Sequence, residues 1–247
     1  MRCCLAVLLL SVSLAPAQAQ KKTTVLHWYG QSFFSLETSK GTKVVIDPHL
    51  IEVYGRPMPK ADVILVSHFH NDHTQLGAVE NPRDAKIVYG LQVEGKKTDW
   101  KLIDETVKDV KIRSVGTYHD DMQGLERGKN TIFIIEADGM RFVHLGDLGH
   151  QLTPEQVRRI GPVDVLMIPV GGIYTLNGAE AKKVVEAIKP KKYIIPMHCG
   201  TNVFEDVLPV TEFIEDQKNV KRFGGNRLAV ESDLKTDQPI IAVLNWK

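Results

Sequence analysis

The chain of 247 residues is poor in cysteine, with three in all, and two of these, Cys3 and Cys4, lie in its first apolar run. If that run is removed, Cys199 stands alone. No disulfide can then form, and stability must come from core packing. Charge of one sign is missing too: 31 basic residues face 30 acidic ones, for a formal net charge of +1. No basic block exceeds a few residues, and KPKK at Lys189 to Lys192 reads as a solvated helix-to-strand turn. The electrostatic footprint of a nucleic-acid binder is therefore absent. The longest apolar run, Cys3 to Leu14, is too short for a spanning helix.

That run has another use. The N-terminus reads MRCCLAVLLLSVSLAPAQAQKK: Arg2, the apolar run, a break at Pro16, then the small-residue signature Ala17-Gln18-Ala19. This is the pattern of an export signal cleaved after Ala19, with an uncleaved anchor as the alternative. A lipid-attachment cysteine fits less well, because both early cysteines precede the apolar core of the signal. Cleavage leaves residues 20–247 with 30 basic and 30 acidic residues, no stable membrane anchor, and a periplasmic or secreted destination. The composition, 43% hydrophobic and 25% charged, suits one domain of packed layers. It sets no oligomeric state.

Along the chain, VLHWYGQSFFSLET and TKVVID predict two strands around the Ser39-Lys40-Gly41 turn. ADVILVSH, VDVLMIPVGG and KKYIIPMHCG are continuous apolar runs and predict buried strands. AKIVYG, VKIRSV, LAVES and PIIAVLNW predict shorter strands. TIFIIEADGMRFVHLGD predicts a hairpin turning at Asp138-Gly139. TPEQVRRIG has a cap-like Thr153, Pro154 at the first helical position and a stop at Gly161. NGAEAKKVVEAIKP predicts a helix with Ala181, Val184, Val185 and Ile188 on one face, and VTEFIED a further short one. ADVILVSHFHNDH and VDVLMIPVGGIYT echo one another as aspartate, apolar strand and polar loop.

Chemistry concentrates in VSHFHNDHT, which puts three of the nine histidines and an aspartate into six positions. Imidazole and carboxylate bind borderline divalent metals. In an extended segment His68, His70 and Asp72 share a face, whereas His73 joins them only if the chain turns at Asn71-Asp72. Two imidazoles can then serve one ion, and a carboxylate with a third imidazole another. Histidines also cluster in tags and solvated loops, but these do not follow directly on an apolar run such as ADVILVS. Further candidates close other strands: His119 after VKIRSVGTY, Asp147 after MRFVHLG and His198 after KKYIIPM. Five histidines and two aspartates suffice for two ions with a bridging carboxylate.

In order and spacing, H-x-H-x-D-H at His68 to His73, then His119, Asp147 of HLGD and His198 of PMH, resemble the metallo-β-lactamase superfamily. GQSFFSLE, Ile46 to Pro48, IPVGGIYTLNGAEA and IIPMH extend the resemblance across Val25 to Trp246, and it is nearest the hydrolase branch that includes the ascorbate-phosphate lactonase. The resemblance implies an α/β fold, an αββα sandwich of two mixed sheets flanked by helices, with the site on one edge. It implies that His68, His70 and His119 bind one metal, that Asp72, His73 and His198 bind a second, and that Asp147 bridges both. Asp47 would orient a ligand imidazole, or else be a plain strand-end residue.

Two close divalent cations, zinc before manganese or iron, lower the pKa of a bridging water and supply hydroxide near neutral pH. Asp72 is the catalytic residue expected to orient that nucleophile and accept its proton. The expected function is thus an exported dinuclear hydrolase of a small-molecule ester, lactone or phosphodiester. A β-lactam hydrolase and a non-catalytic metal- or ligand-binding module of the same fold are the alternatives. An oxygen- or nitric-oxide-reducing diiron protein fits less well, since such proteins typically carry a glutamate where His70 stands and need a flavin partner.

Other residues keep two roles open. His144 is a core or supporting histidine, and His150 either reaches substrate or opens the helix that follows. Cys199 is a buried inert thiol or touches the site. The Gly171 to Thr175 loop offers backbone amides and Tyr174 to a substrate oxyanion, or is a packing turn. Trp100 is expected on an exposed face in a region of substrate-covering loops. His27 and His49 have no partner legible in the sequence.

Overall fold

In the computed structural model, residues 21–247 are described, and the export signal expected over residues 1–19 lies outside them. The chain starts with β1 (Thr23–Trp28), β2 (Phe34–Glu37), β3 (Lys43–Ile46), β4 (Val63–Val66) and β5 (Lys86–Tyr89). A small hairpin follows, β6 (Leu91–Glu94) and β7 (Lys97–Trp100), then β8 (Asp104–Val107), β9 (Val110–Tyr118), β10 (Lys129–Ala137) and β11 (Met140–His144). Strands and helices then alternate: α1 (Pro154–Ile160), β12 (Val165–Pro169), α2 (Gly178–Ile188), β13 (Tyr193–Met197) and α3 (Thr211–Ile214). The chain closes with β14 (Val220–Arg222), β15 (Arg227–Glu231) and β16 (Ile240–Val243).

Apart from β6 and β7, which pair with each other, these strands form two mixed sheets, ordered β15-β1-β2-β3-β4-β5 and β14-β16-β13-β12-β11-β10-β9-β8. Alternation decides which residues join them. In β4, Val63 and Leu65 face the inter-sheet core, while Ile64 and Val66 face the opposite side, so all four are buried as the unbroken apolar run predicts. Leu26, Phe34 and Ile46 of the first sheet meet Phe133, Phe142, Met167 and Ile195 of the second. A fully buried side chain of this size contributes about 1.5–3 kcal/mol.

The outer face of the second sheet is covered by helices. Thr153 and Gln156 form a reciprocal capping box on α1, with Pro154 at its start, and Asn177 and Glu180 do the same for α2. Ala181, Val184 and Ile188 of α2 are buried against that sheet, as their spacing predicts. The first sheet differs. Its outer residues Phe33, Val45, Ile64 and Val66 are covered by Ala61, Ala78 and Val79, from segments with only single 3-10 turns at Glu52–Tyr54, Asn71–His73 and Leu76–Ala78. Pro48, Pro57, Pro59 and Gly55 interrupt that stretch and deny it a longer helix.

The internal echo has a structural counterpart. Asp62 ahead of β4 accepts the backbone N–H of Lys43 (2.8 Å), at the start of the adjacent parallel β3. Asp164 ahead of β12 likewise accepts that of Arg141 (2.9 Å) in the adjacent parallel β11. At the far end of the sandwich, Asp138 (φ 54°) and Gly139 (φ 76°) make the expected tight turn between β10 and β11.

Three expectations need correction. Lys192 is not solvated: it is buried, and its Nζ donates to the carbonyls of Ser232 (3.0 Å) and Leu234 (2.6 Å). Trp100 is half-buried. Its Nε1 donates to the carbonyls of Thr117 (3.0 Å) and Asn130 (2.9 Å), and its ring lies over Gly116 where a Cβ would collide at 2.7 Å. The GQSFF segment is not continuous strand, because a turn through Gly30 and Gln31 separates β1 from β2.

Candidate metal centre

Direction of travel gathers the site. Strands β9 and β11 are both antiparallel to β10, so they leave the second sheet at one edge, and β13 runs parallel to β11 through β12. His119, Asp147 and His198 follow these strands, and the HFHNDH loop follows β4 of the other sheet. All seven residues singled out by sequence come together there. Three sets have ligand atoms within 4.8 Å of one another: His68, His70 and His119; His68, His73 and Asp147; and Asp72, His73 and His198. The turn needed to bring His73 in is the 3-10 turn Asn71–His73.

Asp147 is the hub. Its Oδ2 lies 3.2 Å from the Nε2 atoms of His73, His119 and His198, and 3.9 Å from that of His68. Its other oxygen accepts a hydrogen bond from Ser32 Oγ (2.9 Å), and its backbone N–H donates to Asn130 Oδ1 (3.0 Å). Gly146 permits this approach: its φ is +54°, and a Cβ there would lie 2.2 Å from Asn130 Oδ1. Gly171 serves His198 in the same way, since a Cβ would lie 2.2 Å from the His198 carbonyl. His198 itself has φ 45°, and its N–H donates to the Gln31 carbonyl (3.1 Å).

Asp47 orients two imidazoles from behind. Its carboxylate accepts the N–H and O–H of Ser67, each at 2.7 Å, and Oδ2 lies 3.1 Å from His73 Nδ1. With the Ser67 proton given to Asp47, Ser67 Oγ is left to accept from His68 Nδ1, 2.9 Å away. That selects the tautomer whose Nε2 lone pair faces the cluster, as a metal-binding histidine requires. Burial, reinforced by His73, holds His68 well below the usual imidazole range, which keeps that lone pair free.

The charges are mutually dependent. Burial works against ionisation of Asp147, yet His198 and His73 hold its carboxyl well below the usual range. Burial alone would lower His73 and His198, but Asp147 raises both, helped at His73 by Asp47. Burial works to raise Asp72, but His73 brings it down to about 2. His68 Nε2 and Nδ1 of His119 and His198 are buried without a hydrogen-bond partner, while the two ring nitrogens of His73 face the carboxylates of Asp47 and Asp147. Such groups are costly unless something binds them. Imidazoles and carboxylates converging in this way fit divalent cations.

The remaining candidates separate cleanly. His144 is buried behind the site, its Nε2 donating to the Ser32 carbonyl (3.0 Å) while Nδ1 accepts from the Gly146 N–H (3.1 Å). His150 uses Nε2 to accept the Tyr118 N–H (3.1 Å) and Nδ1 to donate to the Gln151 carbonyl (2.8 Å), so neither nitrogen serves the cluster. His49 bonds the backbone of Gly30 and Ile51, and burial pushes it down to about 4. Cys199 is buried, with its pKa pushed up to about 12 by desolvation, and lines a different cavity beside Trp28 and Trp246. In the Gly171 to Thr175 loop, the amides of Gly172, Tyr174 and Thr175 are bonded within the turn. What that loop brings to the site is the Tyr174 ring.

A cavity of about 310 Å³ opens over the cluster, lined by His70, Asp72, His119, Asp147 and His198 together with Arg127 and Tyr174. Sequence reasoning missed Arg127, Ser32, Ser67 and Asn130. A polar Gln31-Ser32 pair inside an apolar segment was the one local signal available for Ser32.

A family model for the β-lactamase superfamily domain matches residues 25–198. The chain belongs to the metallo-β-lactamase superfamily. Among its relatives are proteins named UPF0173 metal-dependent hydrolases. The one from Pyrococcus furiosus is 33% identical over 192 residues, covering 70% of this chain and 83% of its own, and the one from Thermococcus kodakarensis is 34% identical over 194 residues, covering 70% and 83%. A crystal structure from Thermotoga maritima, described as a candidate Zn-dependent hydrolase of this superfamily, is 35% identical with a TM-score of 0.67, covering 90% of this chain and 98% of its own. The metallo hydrolase Igni18 of Ignicoccus hospitalis shares the fold at 20% identity and TM-score 0.61, covering 86% of this chain and all of its own.

Proposed function

We propose that this member of a family of metal-dependent hydrolases is an exported, dinuclear enzyme acting on a small-molecule ester, lactone or phosphodiester. The observation that carries it is the single Asp147 oxygen 3.2 Å from three imidazole nitrogens. His68, His70 and His119 would hold one divalent ion, Asp72, His73 and His198 the other, with Asp147 shared between them. Zinc suits this donor set, and the Thermotoga maritima relative is described as Zn-dependent. Bound there, two cations would polarise the attacked oxygen and lower the pKa of a nearby water.

The chain supplies the rest. Asp72 lines the cavity, 40% exposed at its side chain, and remains ionised over the working pH range. It orients the attacking water and takes its proton in the transition state. Asp47, Ser67 and Ser32 hold the imidazoles and Asp147 in their working orientation, so little reorganisation accompanies reaction. The N-terminal export pattern supports a periplasmic or secreted destination.

The test is turnover of a panel of esters, lactones and phosphodiesters by protein of verified metal content. Activity that disappears with chelator and returns with zinc is expected. A metal-replete protein inert towards every class in the panel would overturn the proposal.

A further inference from the structure

Arg127 contributes the one guanidinium or ammonium group among the described residues lining the cavity over the cluster. Its position is built from below. Asp120, buried and next to His119 in the chain, accepts the backbone N–H groups of Met122 (2.9 Å), Gly124 (2.7 Å), Glu126 (3.1 Å) and Arg127 itself (2.7 Å). The loop after β9 is thus wrapped around one carboxylate and ends with the arginine at the cavity.

The guanidinium retains donors to give. One Nη donates to the Ile173 carbonyl at 3.3 Å and the other to Glu126 at 3.1 Å, while its carbon lies 5.8 Å from the centre of the Tyr174 ring. Glu126 is 58% exposed at its side chain, so that pair is screened by solvent. A guanidinium carries five N–H groups in a planar fork, and two are engaged here. Toward the 171–175 loop the arginine makes only the long bond to Ile173 and the contact with the Tyr174 ring, which leaves its remaining N–H groups unspent.

We propose that Arg127 is a specificity-determining residue that binds an anionic oxygen group, a carboxylate or a phosphate, on the substrate and away from the bond being cut. The fork suits both groups, since each can accept two parallel N–H bonds. The adjacent Tyr174 ring supplies a flat apolar wall beside that group. The substrate is thereby narrowed to a small anionic ester, lactone or phosphodiester. This rests on the hydrolase proposal, but its test has an arm that does not.

Arg127→Met and Arg127→Lys would be compared with the unaltered chain in two ways. In the first, metal-stripped protein is titrated calorimetrically with inorganic phosphate and, separately, with succinate. Arg127→Met should weaken at least one anion roughly tenfold or more, with Arg127→Lys in between, and the anion affected identifies the group recognised. In the second, metal-loaded protein hydrolyses p-nitrophenyl acetate and mono-p-nitrophenyl succinate. The ratio of KM for the anionic ester to KM for the neutral one should rise by a similar factor in Arg127→Met, with a smaller change in kcat. If neither ester is cleaved, the KM comparison moves to an anionic and a neutral member of whichever class the protein does turn over; if no class is turned over, the hydrolase proposal fails while the titration still decides the arginine's role. Unaltered affinity for both anions in Arg127→Met, or an equal KM change for both esters, overturns the inference.

Discussion

Asp47 Oδ2 stands 3.1 Å from His73 Nδ1, and the same carboxylate holds Ser67, whose hydroxyl lies 2.9 Å from His68 Nδ1. One acid therefore orients an imidazole in each of the two proposed ion sites. Asp47→Asn keeps the shape and tolerates the left-handed backbone at this position (φ 47°), but presents an amide where an acceptor is needed. Metal affinity, measured by chelator competition, should fall about 10–100-fold while the circular dichroism spectrum is retained.

His70 and Asp72 should fail differently. His70→Ala removes a proposed ligand that no backing hydrogen bond holds, so bound metal and turnover should be lost together with little change in folding. Asp72→Asn keeps a ligand oxygen but cannot take a proton. Its kcat should drop roughly 10²–10⁴-fold with metal content largely retained. Near-normal turnover by His70→Ala would contradict the ligand assignment.

Gly146→Ala tests the close packing under Asp147. The residue has φ +54°, and a methyl group would meet Asn130 Oδ1 at 2.2 Å and Ser67 Cβ at 3.0 Å. Backbone strain alone costs on the order of 1–3 kcal/mol, and Asn130 must move as well. A lower Tm and weaker metal binding are expected together, because Asn130 also holds the Asp147 N–H. A variant with unaltered Tm would show that the turn relaxes freely.

Glu136 gives an acid-stability signature remote from the metal cluster. Partial burial works to raise its pKa, but hydrogen bonds from Arg113 (3.0 Å) and Arg141 (2.7 Å) bring it below the usual range. A carboxylate depressed in the folded state adds stability that is fully present above its unfolded pKa, about 4.3, and is lost as pH falls through the folded value. Glu136→Gln should therefore lower Tm at neutral pH, and the two melting curves should converge as pH drops below about 4. A gap that widens in acid would reverse the sign and refute the assignment.

The parts legible in sequence were those whose signal is local. Continuous apolar runs marked β4, β12 and β13, and Asp138-Gly139 marked its hairpin, because burial on both faces and left-handed turns each leave a composition trace. The seven clustered residues were legible because four of them crowd into His68 to His73 and because the full set, in order and spacing, resembles a known superfamily. Residues 91–107 were not: β6, β7 and β8 are largely exposed and carry no apolar period, so pairing alone makes them strands. Asn130 and Arg127 were equally hidden. Asn130 lies 17 positions before Asp147 and meets it only once β10 folds back on β11, and Arg127 reaches the cavity only because Asp120 curls its loop.

That curled loop has an evolutionary consequence. Its shape is set by backbone amides converging on Asp120, not by the side chains of Asp121, Met122, Gln123 and Leu125, all four of which are exposed. Substitutions at those exposed positions can change the surface that leads up to Arg127 in the chain while the backbone bonds to Asp120 keep the loop's contour. The surface of this loop can thus diversify one substitution at a time, without disturbing His119 next door.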